Sequence, residues 1–219
     1  MTQEEVFQEI LKDYPNVIRF AENCFTQVEN AKGKRITKVY EYNSPKKNHW
    51  VVLVVKTKKE LYYLTVATYV NRYGINIVNV MANGEIRHYW KHFITRYNSR
   101  HLNQPNSGAI KLFLKHIVNN SRYSLEFYNT ADETRFFAKC NDGAVFGTKE
   151  KMGNHVILTF KTFVSNGMLI GNQISLGKEL EDNWEYAIQN GYMNDIDLGL
   201  AKIKPIQFIT KRPKLNRAV

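Results

Sequence analysis

Two blocks of short runs, each run dense in β-branched and aromatic residues and closed by turn residues, constrain this chain more than any other feature. In the first block ITKVYEYN (36–43), HWVVLVVKT (49–57), ELYYLTVATYV (60–70) and INIVNVM (75–81) are separated by SPKKN, KK and NRYG, with ANG after the last. Runs of this length and composition read as strands and their separators as turns, which predicts a four-stranded antiparallel meander. HWVVLVV is almost continuously apolar, the pattern of a strand buried on both faces. The second block holds YSLEFYN (123–129), TRFFAKC (134–140), GAVFGTKE (143–150) and HVILTFKTFVS (155–165), broken by NTADE, ND and KMGN. In CNDG (140–143), Asn141 and Asp142 tolerate left-handed backbone and Gly143 adopts it freely, the signature of a tight hairpin.

Helical periodicity surrounds the strands. Residues 3–30 carry a cap at Thr2, acids at Glu4 and Glu5, and an apolar stripe from Val6, Ile10 and Leu11. Pro15 lies inside this stretch, so two short helices over 3–13 and 15–30 are expected, closed at Gly33. Residues 85–102 read as a helix with two stripes: Trp90, Phe93, Ile94 and Tyr97 toward a core, and His88, His92, Arg96 and Arg100 at four-residue steps. After a loop at 103–108 comes an amphipathic helix over 109–120, with Ile110, Phe113, Leu114 and Ile117 facing in, and a last helix over 176–190 ends at Gly191. The fold class is α+β, with mostly antiparallel sheet packed against several helices. Residues 1–201 form one domain, with two halves, 1–84 and 85–201, as the alternative. The tail 202–219, with two prolines, six basic residues and no acid, reads as extended or mobile.

Charge narrows the partners. The chain has 31 Lys and Arg against 20 Asp and Glu, a net charge of +11. Such a field draws in polyanions, so nucleic acid is the first partner to consider, RNA ahead of DNA, and an acidic protein partner or inhibitor would feel the same attraction. No run approaches the 18 or more apolar residues of a membrane span, and MTQEEVFQEI lacks the order of a signal peptide, so a cytoplasmic protein without a membrane partner is expected. Two cysteines, Cys24 and Cys140, far apart in sequence, fit buried thiols in a reducing compartment.

The row on the 85–102 helix carries the chemistry. Side chains four apart lie about one turn apart on one face. His92, Arg96 and Arg100 therefore present an imidazole and two guanidiniums to one surface, and His88 extends the row. An imidazole exchanges protons near neutral pH and a guanidinium holds phosphate by paired hydrogen bonds. That is what RNA phosphodiester cleavage requires, since the 2′-hydroxyl supplies the nucleophile. The competing explanation is a solvated face, or one that holds phosphate without cleaving it. His88, Lys91 and Lys161, with Lys211, Arg212, Lys214 and Arg217 of the tail, are the candidate nucleic-acid contacts. No metal or cofactor is expected: a His88–His92 pair needs a further ligand, Tyr89 stands where a metalloprotease helix has glutamate, and GTKEKMG lacks the spacing of a phosphate loop.

HFITRYNSR (92–100) followed by a meander whose last strand contains ILTFKTFVS (157–165) resembles the barnase–EndoU–colicin–RelE group of metal-independent ribonucleases, over residues 85–165. The resemblance implies His92 as general acid or base, Arg96 and Arg100 as phosphate holders, and Thr162 steadying the scissile phosphate. Residues 1–84 have no counterpart in that group and 109–120 interrupts its order. Thr159 competes with Thr162, because alternation puts the two on opposite faces of a regular strand. The alternatives to a ribonuclease are a binding module, with Trp50, Tyr69 or Tyr73 stacking bases, and an oligomer paired through strands 49–57 and 60–70.

Overall fold

The computed structural model describes residues 2–58, 61–81, 83–120, 123–189 and 207–208. Its chain is α+β and forms two compact units, dividing after Tyr69.

The first unit opens with helix α1 (Gln3–Glu29), followed by strands β1 (Ile36–Asn43), β2 (His49–Lys56) and β3 (Leu61–Asn71), the last two residues of β3 falling in the second unit. Thr2 caps α1 reciprocally: its hydroxyl accepts from Glu5 N at 3.2 Å and its own N–H donates to the Glu5 carboxylate at 2.8 Å. The expected break at Pro15 does not occur, and one helix runs through it. Proline costs the helix a single N–H bond. Against that, Phe7, Ile10, Asp13, Val17, Ala21, Cys24 and Val28 form one unbroken buried stripe. Within it the Asp13 carboxylate accepts from Asn48 Nδ2 at 2.6 Å, holding the turn before the proline to the loop after β1. At the far end Lys56 Nζ donates to Glu29 O at 2.7 Å and Ala31 O at 3.1 Å, a cation placed at the negative end of the helix. The strands β1, β2 and β3 pair antiparallel, and β2 is buried from Trp50 to Val55. Ala21, Cys24 and Val28 of α1 pack on Tyr40, Val52 and Val54.

The second unit contains β4 (Gly74–Val80), β5 (Ile86–Tyr89), α2 (Lys91–Tyr97), a π-helical turn (Asn98–Leu102), α3 (Ala109–Asn119), β6 (Ser124–Asn129), β7 (Thr134–Cys140), β8 (Gly143–Met152), β9 (His155–Ser165) and α4 (Asn172–Gln189). Its strand order is β4-β5-β9-β8-β7-β6, antiparallel throughout except for β5 with β9. A two-residue strand, β10 (Gln207–Phe208), pairs parallel with β1 and belongs to the first unit.

Residues 85–102 are therefore not one helix. Ile86 to Tyr89 form a strand whose backbone is paired on both sides, by β4 and by β9. Tyr89 stacks on Phe160 of β9 with ring centroids 4.4 Å apart, burial that a helix at this position would forfeit. Trp90, extended at φ −68° and ψ 150°, ends the strand and starts α2, and it is 38% exposed instead of in the core. Phe93, Ile94 and Tyr97 are buried as their spacing predicts. Phe93, Phe136 and Phe160 continue the aromatic core, and Gly147 makes room for it: a Cβ there would strike the Phe136 ring and the Thr159 carbonyl. On the opposite face of the sheet Leu180 of α4 packs with Phe137, Ala144 and Phe146.

Candidate nucleic-acid interface

The row predicted on the helix survives in part. His92 and Arg96 are exposed on α2, and Arg100 is half-buried on the π-helical turn that continues it. Arg96 Nε donates to His92 Nε2 at 3.3 Å, so this imidazole nitrogen is an acceptor. Partial burial, then the charges of Arg96 and Arg100, push the His92 imidazole below its ordinary value and favour the neutral ring. Arg100 donates to the Phe163 carbonyl at 2.6 Å, which fixes the guanidinium against the end of β9. Lys91 is exposed at the start of α2, and its stem crosses Gly74. Among the described residues none of His92, Arg96, Arg100 and Lys91 is ion-paired to a carboxylate.

His88 is not part of the row. It lies on β5 with no exposed surface, and burial pushes its imidazole down to about 3. Strand alternation turns it away from Tyr89, onto the face that carries Thr159, its register partner in β9. His88 and His92 accordingly do not stand i, i+4 on one helix, and no group of three or more His, Cys, Asp or Glu that could hold a metal ion occurs among the described residues.

Thr162 does not face the row either. It stands directly opposite Phe146, which packs with α4, whereas Phe163 packs on Phe93 and Tyr97 of α2. Thr159 is 2% exposed and its hydroxyl has no partner among the described residues, but it too is turned from the α2 face. A bulge between Phe146 and Gly147 leaves Lys161 without a register partner, and Lys161 is engaged elsewhere: Nζ is 3.4 Å from the Glu133 carboxylate and 5.5 Å from the Trp90 ring centroid. Lys211, Arg212, Lys214 and Arg217 lie outside the described residues. Of the proposed stacking residues, Trp50 is fully buried, Tyr69 half-buried and Tyr73 exposed, with Arg72 over its ring at 4.7 Å.

A second constellation, not anticipated from sequence, adjoins the row. Asp142, in the hairpin turn between β7 and β8, accepts at Oδ2 from Tyr97 Oη at 2.8 Å and from Asn120 Nδ2 at 2.8 Å, and His101 Nε2 lies 3.2 Å from the same oxygen. Asn120 Oδ1 accepts from the Asp142 N–H at 2.8 Å, so two bonds tie the turn to the end of α3. His101 stacks on Tyr97, centroids 5.4 Å apart and planes at 23°. Behind them His116 is fully buried, bonded to Tyr123 and 3.2 Å from Asn120 Nδ2, and burial pushes it down to about 3. The signal available in the sequence was weak: Asp142 was legible only as a turn former, and nothing in its spacing linked it to residues 97 and 101.

A cavity of about 730 Å³, lined in part by Lys139, Cys140, Asn141, Asn166 and Glu181, holds none of the predicted site residues. No helix among the described residues is long and apolar enough to cross a membrane. No protein-family model, no curated protein and no solved structure matches this chain, so its functional reading rests on the site's own geometry.

Proposed function

We propose that the face formed by Lys91, His92, Arg96 and Arg100 binds nucleic acid, with RNA the preferred form. The observation that carries this reading is three cations, Lys91, Arg96 and Arg100, without carboxylate partners among the described residues, in a chain of net charge +11. Guanidiniums at one-turn spacing suit successive oxygens of a phosphate backbone, and an exposed cation with no acid beside it is free to exchange counterions for phosphate. The two cysteines are buried and free, in keeping with a reducing compartment. Anisotropy titration of a labelled single-stranded RNA at low salt tests the reading. Arg96→Ala or Arg100→Ala should weaken binding by roughly three- to tenfold each. An unchanged affinity in both variants, or no binding by the wild type, would refute it.

Metal-independent cleavage of the bound RNA is the second reading. It is favoured by an imidazole, His92, whose neutral form is stabilised beside two guanidiniums, where it can take or pass a proton. Breakage of RNA that persists in EDTA separates this reading from binding alone. Thr162 has no part in it, since it faces the other side of the sheet.

A further inference from the structure

Resting on the cleavage reading, we propose that a second proton-transfer group, His101 beside Asp142, works alongside His92. An effective general base needs a fixed ring, one nitrogen committed to an orienting acceptor and the other open to substrate. His101 meets each requirement. Its Nε2 lies 3.2 Å from the Asp142 carboxylate, within reach of that acceptor, and its Nδ1 has no partner among the described residues. The residue is exposed, and the ring is fixed by its stack on Tyr97.

The turn that carries it is itself pinned. Asn103, left-handed at φ 49°, closes the π-helical turn by donating to Asn98 O at 2.7 Å, while Asn98 Oδ1 accepts from Gln104 N at 2.9 Å and Asn98 Nδ2 donates to Gln104 O at 3.0 Å. Such π-helical turns recur at functional sites because the widened turn re-aims side chains. Asp142 is in turn fixed by Tyr97 and Asn120. Tyr97 stays a donor, because burial and the Asp142 carboxylate push its phenol well above its ordinary value. The titratable and charged groups around His101 are Asp142 from the hairpin turn, Tyr97 and Arg100 from its own helical segment, and His116 from α3. His116 is sealed and neutral, which leaves His101 as the one histidine of this cluster open to solvent.

No serine or cysteine of the chain is bonded to His101 among the described residues, so the hydroxyl it activates belongs to the ligand. In RNA that is the ribose 2′-hydroxyl. His101 Nδ1 removes the 2′ proton, and the 2′ oxygen bonds to phosphorus. The bond from phosphorus to O5′ breaks, and O5′ takes a proton from water. The imidazolium then returns its proton to the hydroxide so formed. The products are a 2′,3′-cyclic phosphate and a 5′-hydroxyl, with no metal or redox partner consumed.

The test uses the full chain in EDTA with a mixed-sequence single-stranded RNA and its 2′-O-methyl counterpart. The RNA should break to cyclic-phosphate ends, while the methylated strand binds equally and stays intact. His101→Gln should lower kcat about a hundredfold or more with Kd within twofold of wild type, whereas Arg96→Ala raises KM. His101→Gly should recover rate with added imidazole, which a purely structural role would not allow. Asp142→Asn, a change at the positioning residue, should lower kcat about tenfold with KM and Kd unchanged. Wild-type protein that binds RNA but leaves it whole from pH 5 to 9, or a His101→Gln variant as fast as wild type, overturns the assignment and leaves the binding face standing. Absence of RNA binding at low salt overturns both.

Discussion

Two fully buried histidines, His88 and His116, have imidazoles pushed by burial down to about 3. An unfolded chain protonates histidine near 6.5, so between that pH and about 3 the unfolded state holds protons that the folded state refuses. The stability they support is complete above about pH 6.5 and falls as the pH is lowered, by about 1.4 kcal/mol per pH unit for each residue. Urea unfolding at pH 7.5 and 5.5 should show this loss, and His116→Gln should flatten the dependence; a pH-independent midpoint would contradict the assignment. Gly147 is a second single-residue constraint. An added methyl meets the backbone carbonyl of Thr159, which cannot swing aside, so Gly147→Ala should cost at least about 2 kcal/mol by thermal denaturation. At this scale the sequence spoke clearly for His92, Arg96 and Arg100, whose four-residue spacing is local. It was silent on His101 with Asp142, which meet only because a turn some forty residues downstream folds against α3.

Elements were legible where their signal was local. The strands 36–43, 134–140 and 155–165 have the bounds that composition predicts, because turn residues delimit them on both sides. Two elements were misread for one reason, that packing overrode local rules. Pro15 argued for a break that the continuous stripe of α1 outweighs, and His88 completed a helical spacing that belongs to a strand paired on both sides. The helix tolerates its proline at a cost. Pro15→Ala restores one backbone bond, and the gain is offset by the freer unfolded chain, so the first unit should gain about 1–2 kcal/mol, readable as slower amide exchange along α1. No change in protection would show that the proline is already fully accommodated.

Across the whole chain, +11 is a property of the field rather than of any contact. Composition announced it, and it could not say which face would carry it, since Lys161 is spent on Glu133 and Lys139 on Glu181. Each phosphate neutralised on single-stranded nucleic acid contributes about −0.7 to the slope of log K against log salt. Removing Arg96 and Arg100 together should make that slope shallower by about 1.4. An unaltered slope would place the binding surface elsewhere.

The junction of β5 with β9 joins residues about seventy positions apart, the one parallel pairing among the described residues of the second unit. A ribosome must therefore release the whole stretch through β9 before β5 acquires its second neighbour and Tyr89 meets Phe160. Until then the nascent chain exposes an unfinished edge of the kind that chaperones hold, and completion of this sheet is timed by translation of β9.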